Sequence, residues 1–321
     1  LSAFFTVLWG TLFPVLSEFV QGNKVTVGAP FYNRVAIPIG LFLLFLTAIG
    51  PLLAWRSSSF RSIRRNFVLP ISVGCLGALV LIVCGVHPWK SQGSFYSLVA
   101  WSLAAMVITA IGSEFGRGAG VIRSHTGQNL FTSMVQLIRR NTRRYGGYLV
   151  HFGVVVIFIG IAGSAFNRSV EQELDFHQSI MIGPYRLECL DYSQDSNPNY
   201  QSEFALLDVY LGNKKITQLA PEQRFYAASQ QTSTIVANHS TLAWDLYVVY
   251  AGSDPDTQHP IIKVFLNPLV AWIWIGVAIV VFGTLVALTP NMTSALASSR
   301  VRIADSPPDI GRSVALSGGG D

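Results

Sequence analysis

Six apolar runs, each about as long as a bilayer is thick, restrict what this chain of 321 residues can fold into. They fall at roughly 1–19, 35–55, 67–87, 95–112, 146–166 and 268–288. A helix needs about 20 such residues to cross a hydrocarbon core of about 30 Å. Composition agrees, since 50% of the residues are hydrophobic, only 12% are charged and the mean hydropathy is +0.43. A soluble domain of this size needs more charge than that. The expected fold is a polytopic α-helical membrane protein of about six transmembrane helices, with a β-rich domain inserted before the last. The first run opens the chain without an initiator Met or a charged flank, unlike a signal peptide, so further sequence is expected upstream.

Arginine sets the orientation, because loops rich in Arg and Lys stay in the cytoplasm. Arg56, Arg61, Arg64 and Arg65 crowd the loop at 56–66, while Arg117, Arg123, Arg139, Arg140, Arg143 and Arg144 fill the loop at 113–144 against the single acid Glu114. Alternation then puts the segment 167–267 outside and the tail after Pro290 inside, with Arg300, Arg302 and Arg312 in agreement. The expected layout is a membrane region at 1–166 with five helices, a periplasmic β-rich domain at 167–267, a last helix at 268–288, and a disordered cytoplasmic tail at 289–321. The net charge of +5 is accounted for by topology and implies no nucleic-acid partner.

His151 stands out against this background. It lies in the run Arg144-Tyr145-Gly146-Gly147-Tyr148-Leu149-Val150-His151, inside a span otherwise fit for lipid. An ionisable group at membrane depth is costly and needs a partner. A metal or haem iron is one candidate, since neutral imidazole is a good axial ligand; a hydrogen bond to another helix is the alternative. Gly147 precedes His151 by one turn on the same face, and a missing side chain there would let a flat macrocycle lie close. Packing alone would also account for it, as it would for Gly160 and Gly163. Arg143 and Arg144 sit within reach of the inner headgroups, and either positive-inside placement or a contact to cofactor carboxylates would explain them.

The segment 167–267 reads as β. Residues 178–192 alternate around a Gly183-Pro184 turn, and Glu203 to Leu211 and Lys214 to Leu219 flank Gly212-Asn213 as a hairpin. Leu242 to Tyr250 and Ile261 to Phe265 add strands. His177, His239 and His259 show no shared metal-ligand spacing, so surface or hydrogen-bonding roles are expected for each. Trp244, with Asp245, Tyr247 and Tyr250, reads as a core-facing aromatic beside an exposed tip, or else as a binding face. Cys75, Cys84 and Cys189 form no metal motif, and Cys189 has no partner for a disulfide in its domain.

Five stretches, in order, resemble the CcmF-type cytochrome c haem lyases and the related proteins of nitrite reductase maturation. They are Thr11-Leu12-Phe13-Pro14-Val15-Leu16, Val27-Gly28-Ala29-Pro30-Phe31-Tyr32-Asn33, the run ending in His151, Pro221-Glu222-Gln223-Arg224-Phe225-Tyr226, and Asn267-Pro268-Leu269-Val270-Ala271-Trp272-Ile273-Trp274-Ile275-Gly276. The resemblance implies an inner-membrane enzyme that takes haem from a periplasmic haem chaperone and attaches it to apocytochrome c alongside other cytochrome c maturation membrane subunits. It implies a transmembrane haem b with His151 as one axial ligand to the iron, Gly147 beside it, and quinol as an electron source. No catalytic residue is assigned.

The chain also departs from the family. The Trp-rich haem platform and the second transmembrane ligand would lie upstream. Ser17 and Glu18 stand where some members carry a loop histidine, and there is no histidine before His87. The chain alone is therefore not expected to complete the reaction. A membrane haem transporter or exporter without ligation chemistry is the alternative, although no internal repeat supports it. A membrane-anchored scaffold is a third reading, which holds only if no cofactor binds.

Overall fold

The computed structural model describes residues 1–50 and 60–291. Arg56 and the arginines of the tail lie outside the described residues, as do the last five positions of the second apolar run and nearly all of the tail expected to be disordered. Among the described residues six helices are long and apolar enough to cross a membrane. They are α1 (Ser2–Gln21), α2 (Ala29–Ile49), α3 (Phe60–Val83), α4 (Gln92–Thr126), α6 (Thr142–Ala162) and α7 (Val270–Leu288). The short amphipathic α5 (Leu130–Arg140) lies between α4 and α6. The fold is thus a polytopic helical membrane protein with a β domain ahead of its last helix.

One expectation needs correction. The stretch 113–144 is helical for most of its length and does not form a loop. Helix α4 runs for 35 residues, about 50 Å at 1.5 Å per residue, well beyond a hydrocarbon core. Hydropathy marks where a helix leaves lipid, not where its hydrogen bonding stops. The stop signals lie further on, at Gly127 with its left-handed φ of 67°. Asn129 then caps α5 through the amides of Phe131 and Thr132, and Asn141 caps α6 through the amide of Arg144. Helix α5 folds back on the end of α4, burying Leu137 with Ala119, Ile122 and Tyr145.

Glycines spaced seven apart make the closest helix pair. A Cβ on Gly153 of α6 would come within 2.8 Å of the Gly276 carbonyl of α7, and a Cβ on Gly276 within 2.7 Å of the Gly153 carbonyl. Gly146 and Gly160 meet the α7 backbone at Ala287 and Ile273 in the same way, and Gly283 meets Val150. Small residues are what allow helix backbones to touch in lipid, where no hydrophobic force draws them together. The pair is tied at its inner end by Thr142, whose hydroxyl donates to the Thr289 carbonyl at 2.6 Å. At the outer end, Trp272 Nε1 donates to the Leu242 carbonyl at 3.0 Å.

A 3₁₀ turn, Gly163–Phe166, leads from α6 into ten strands in two packed sheets. The smaller sheet has the order β1 (Arg168–Glu173), β10 (Pro260–Pro268), β9 (Trp244–Ser253), β8 (Ala237–Ser240). The larger has the order β2 (Ser179–Ile182), β3 (Tyr185–Ser196), β4 (Gln201–Leu211), β6 (Glu222–Tyr226), β7 (Gln231–Ile235), with β5 (Lys214–Leu219) also on β4. Alternate residues of both sheets fill one core, including Leu187, Cys189, Leu207, Val209, Leu246, Val248, Ile262 and Leu266, all inaccessible to solvent. The Gly212-Asn213 hairpin forms as expected, with Gly212 at φ 60°. Cys189 is a free thiol in this core, and burial pushes its pKa up to about 11. Trp244 packs against the core and Tyr250 lies within it, which is the core reading of that cluster.

Candidate functional site

Tyr148 and His151 lie one turn apart on α6, and both face α2. Together with Leu43, Leu46, Thr47 and Gly50 of that helix end they line an open cleft of about 360 Å³. The helix period alone puts Tyr148 and His151 on one face. The close α6–α7 contact occupies the opposite face through Gly146 and Gly153 and leaves this one open.

His151 is exposed at the mouth of the cleft and makes no hydrogen bond or ion pair with any described residue. The helix-to-helix hydrogen bond weighed above therefore has no partner among the described residues. Open space surrounds the point where a Gly147 Cβ would project, with no atom within 4 Å. That differs from Gly146 and Gly160, whose missing side chains are filled by α7. Gly163 likewise meets the Pro268 carbonyl, so the sequence reading of Gly160 and Gly163 as packing glycines agrees with their surroundings. An imidazole without a protein partner, one turn from a flat and vacant helix face, is an arrangement that fits a planar metallo-macrocycle.

The inner end of the cleft is held by charges that the sequence did not pair. Glu114 of α4, largely buried, accepts from Arg117 and, at 2.7 Å, from Arg144. Arg144 Nε donates to the Tyr148 hydroxyl at 3.2 Å, and the guanidinium lies over the Tyr145 and Tyr148 rings. Arg117 continues the chain to Asn66 of α3 at 2.6 Å. Arg144 is thus committed to Glu114 and Tyr148, while Arg143 is exposed. The pairing was missed because Glu114 and Arg117 lie on α4 and Arg144 and Tyr148 on α6, and contacts between helices leave no local spacing. The only signal in the sequence was an acid isolated among arginines.

Elsewhere the histidines hold structural positions. His259 Nδ1 pairs with Glu173 at 3.0 Å and its Nε2 lies 3.5 Å from Asp175; His177 is 3.5 Å from Glu188. Among the described residues no cluster of His, Cys, Asp and Glu could hold a metal ion. Ser17, where a loop histidine was sought, closes the α1–α2 turn by accepting from the Val25 amide at 3.0 Å and donating to the Pro14 carbonyl. Gly10, just before the first motif stretch, and Tyr32 of the second press together where α1 meets α2.

Comparison with known proteins now adds its own evidence. Residues 165–268 match the CcmF C-terminal beta-sandwich family. The chain is 27% identical over 291 residues to the cytochrome c-type biogenesis protein CcmF of Haemophilus influenzae, covering 90% of this chain and 43% of that protein. It is 26% identical over 279 residues to NrfE of the same organism, covering 86% of this chain and 40% of the relative. The Escherichia coli CcmF is 25% identical over 290 residues. A solved structure of the cytochrome c haem lyase CcmF superposes with a TM-score of 0.67 at 22% identity, over 89% of this chain and 43% of that one. The chain spans less than half the length of these relatives, and the structural likeness extends over both the membrane helices and the sandwich.

Proposed function

We propose that the chain is of the CcmF type and forms the C-terminal, haem-binding part of a cytochrome c haem lyase of the bacterial inner membrane. One observation supports the site: His151 is an imidazole in a membrane helix with no hydrogen-bond or ion-pair partner among the described residues, beside open space at Gly147. Desolvating such a group without a bond is costly, and an iron–imidazole bond offsets that cost. In this reading His151 would hold a haem b through its imidazole, with a second ligand supplied from outside this chain. The open mouth of the cleft, facing away from α7, supports a partner helix docking there.

Bound between two imidazoles, haem b would supply electron transfer, since no coordination position stays open. The protein's own part is mechanical and electrostatic. Helix α7 locks α6 through its glycines, so the His151 ring is presented at a fixed depth, about 10 Å beyond Arg144. The Glu114–Arg144–Tyr148 chain fixes the inner wall and keeps a cation near the cleft. The sandwich, on the periplasmic side in this reading, lies on the side from which a haem chaperone and apocytochrome c would approach, with the other maturation subunits around it. Quinol is the proposed electron donor.

The exporter reading lacks a supporting observation, because the intramembrane polar groups described are few. The test is cytochrome maturation in a bacterium whose own lyase gene is replaced by the full-length protein. The wild type should restore covalently haem-stained cytochrome c and His151→Ala should lower it at least about tenfold. Undiminished staining with His151→Ala would remove the ligand assignment.

A further inference from the structure

A second cavity lies between α2 and α6, nearer the sandwich than the His151 cleft. Ile37 and Leu41 of α2, Tyr96 and Ala100 of α4, Phe158 of α6 and Ser164 of the 3₁₀ turn are among its walls, which enclose about 400 Å³. That turn enters the sandwich, so the cavity reaches the sandwich end of the membrane helices. Leu44, almost fully buried with Phe158 packed beside it, closes the inner end, and beyond it the cleft of Tyr148 and His151 begins. The walls are mostly apolar, and Ser97 is already satisfied by donating to the Ala162 carbonyl at 2.9 Å. Water finds little to bond in such a space, and leaving it unfilled forfeits packing contacts. The other two hydroxyls in the walls, on Tyr96 and Ser164, bond to no described residue.

Arg34 supplies an independent observation. It precedes Ile37 by one turn on the same face of α2, at the sandwich side of the cavity. Helical Cβ atoms tilt towards the N terminus, so this side chain sets out towards the membrane surface on that side. Arg34 is exposed and has neither a hydrogen bond nor an ion pair among the described residues. The first turn of α4, which carries no acid, adds the positive end of a long helix beside it.

We propose that this cavity is a phospholipid site. One acyl chain fills the apolar space between α2 and the α4–α6 pair, an ester carbonyl accepts from the Tyr96 or Ser164 hydroxyl, and the phosphate pairs with Arg34. A guanidinium matches a phosphate in both charge and geometry. Haem iron would find no nitrogen or sulfur ligand here, because no His, Cys or Met lines the cavity. A quinone has no anionic group and would leave Arg34 unpaired. The bound chain also wedges α2 at a set distance from α6, and the same two helices form the His151 cleft further in. The lipid assignment does not depend on haem binding in that cleft.

The full-length protein is placed in nanodiscs of phosphatidylethanolamine and phosphatidylglycerol. These contain a trace of phosphatidylglycerol with a diazirine midway along one acyl chain. After irradiation, mass spectrometry compares labelling of the cavity with the mean over the exposed apolar residues of α1 and α3. Residues 36–41, 93–100 and 158–165 should be labelled at least about fivefold more strongly, as for a site held by one charge-assisted contact. Arg34→Gln should remove most of that excess without changing the melting temperature. Ala36→Phe, which fills the cavity from α2, should remove it as well. A diacylglycerol with the same chain and no phosphate should label the cavity weakly and respond to neither the presence nor the loss of Arg34. Wild-type labelling no stronger than that of α1 and α3, or equal labelling by the two probes, would overturn the proposal. So would displacement of the phospholipid by an equimolar quinone or haemin.

Discussion

At His151 the cost of desolvation is what selects a role. Most polar side chains in the membrane helices satisfy themselves locally, as when Ser72, Ser102 or Thr109 bonds a carbonyl of its own helix. An imidazole is too wide for that escape, and here it finds no hydrogen-bond partner among the described residues. The presence of such a residue was legible from its apolar surroundings. Its freedom was not, because a partner on another helix leaves no trace in the local sequence. In the sandwich, single residues have more ordinary consequences. Leu207→Ala, at a site with no solvent exposure, should cost about 2–5 kcal/mol, read from the melting of a soluble fragment of residues 165–268. Proton linkage should bound the same fragment on both sides. Arg224 holds the Glu222 carboxyl below its usual value of 4.5, so that contribution is present above about pH 4.5 and is lost as pH falls further. Burial pushes Cys189 from 9.0 to about 11 and Tyr250 from 10.0 to about 12, so the folded state holds both protons more tightly than the unfolded one. That contribution is complete below about pH 9 and fades as pH rises through 9 to 12. A melting temperature that keeps rising above pH 10 would contradict these assignments.

Among elements, the α6–α7 pair governs how precisely the site is held. Gly146, Gly153 and Gly160 recur every seven residues, as do Gly276 and Gly283, a spacing that keeps one face of each helix against the other. Gly153→Val should push its side chain into the Gly276 carbonyl, separate the helices and lower the detergent melting temperature. Gly147→Ala, into open space, should leave melting unchanged and act on cofactor binding alone. Melting curves of the two variants side by side check this, and an equal loss for both would refute the division of labour. Helix existence was readable from hydropathy, but helix ends were not. Helix α4 outruns its apolar segment because Gly127, and not the first arginine, ends its hydrogen bonding. In the β domain the strands with hydrophobic alternation were found. Polar β1, β6, β7 and β8 escaped, since their pairing comes from β10, β4, β6 and β9 and not from their own composition.

For the whole molecule, the membrane helices join the sandwich through two short junctions, α6 into β1 and β10 into α7. Leu269 sits in one of them at φ 63° with its amide bonded to the Ala243 carbonyl at 3.0 Å, which fixes how the sandwich meets the last helix. Reporter fusions after Arg144 and near Gly212 should read cytoplasmic and periplasmic respectively, as the arginine distribution requires. Identical readings at the two positions would break the topology.

The central claim concerns one nitrogen–iron bond, and a spectrum of the purified full-length protein tests it most directly. Reduced with dithionite, the wild type should show a b-type haem. His151→Ala should lose most of that haem or regain its spectrum when imidazole is added, because the free ligand refills the vacated position. His125→Ala, exposed in the last turn of α4, should match the wild type. Full haem with an unchanged spectrum in His151→Ala, insensitive to imidazole, would contradict the account.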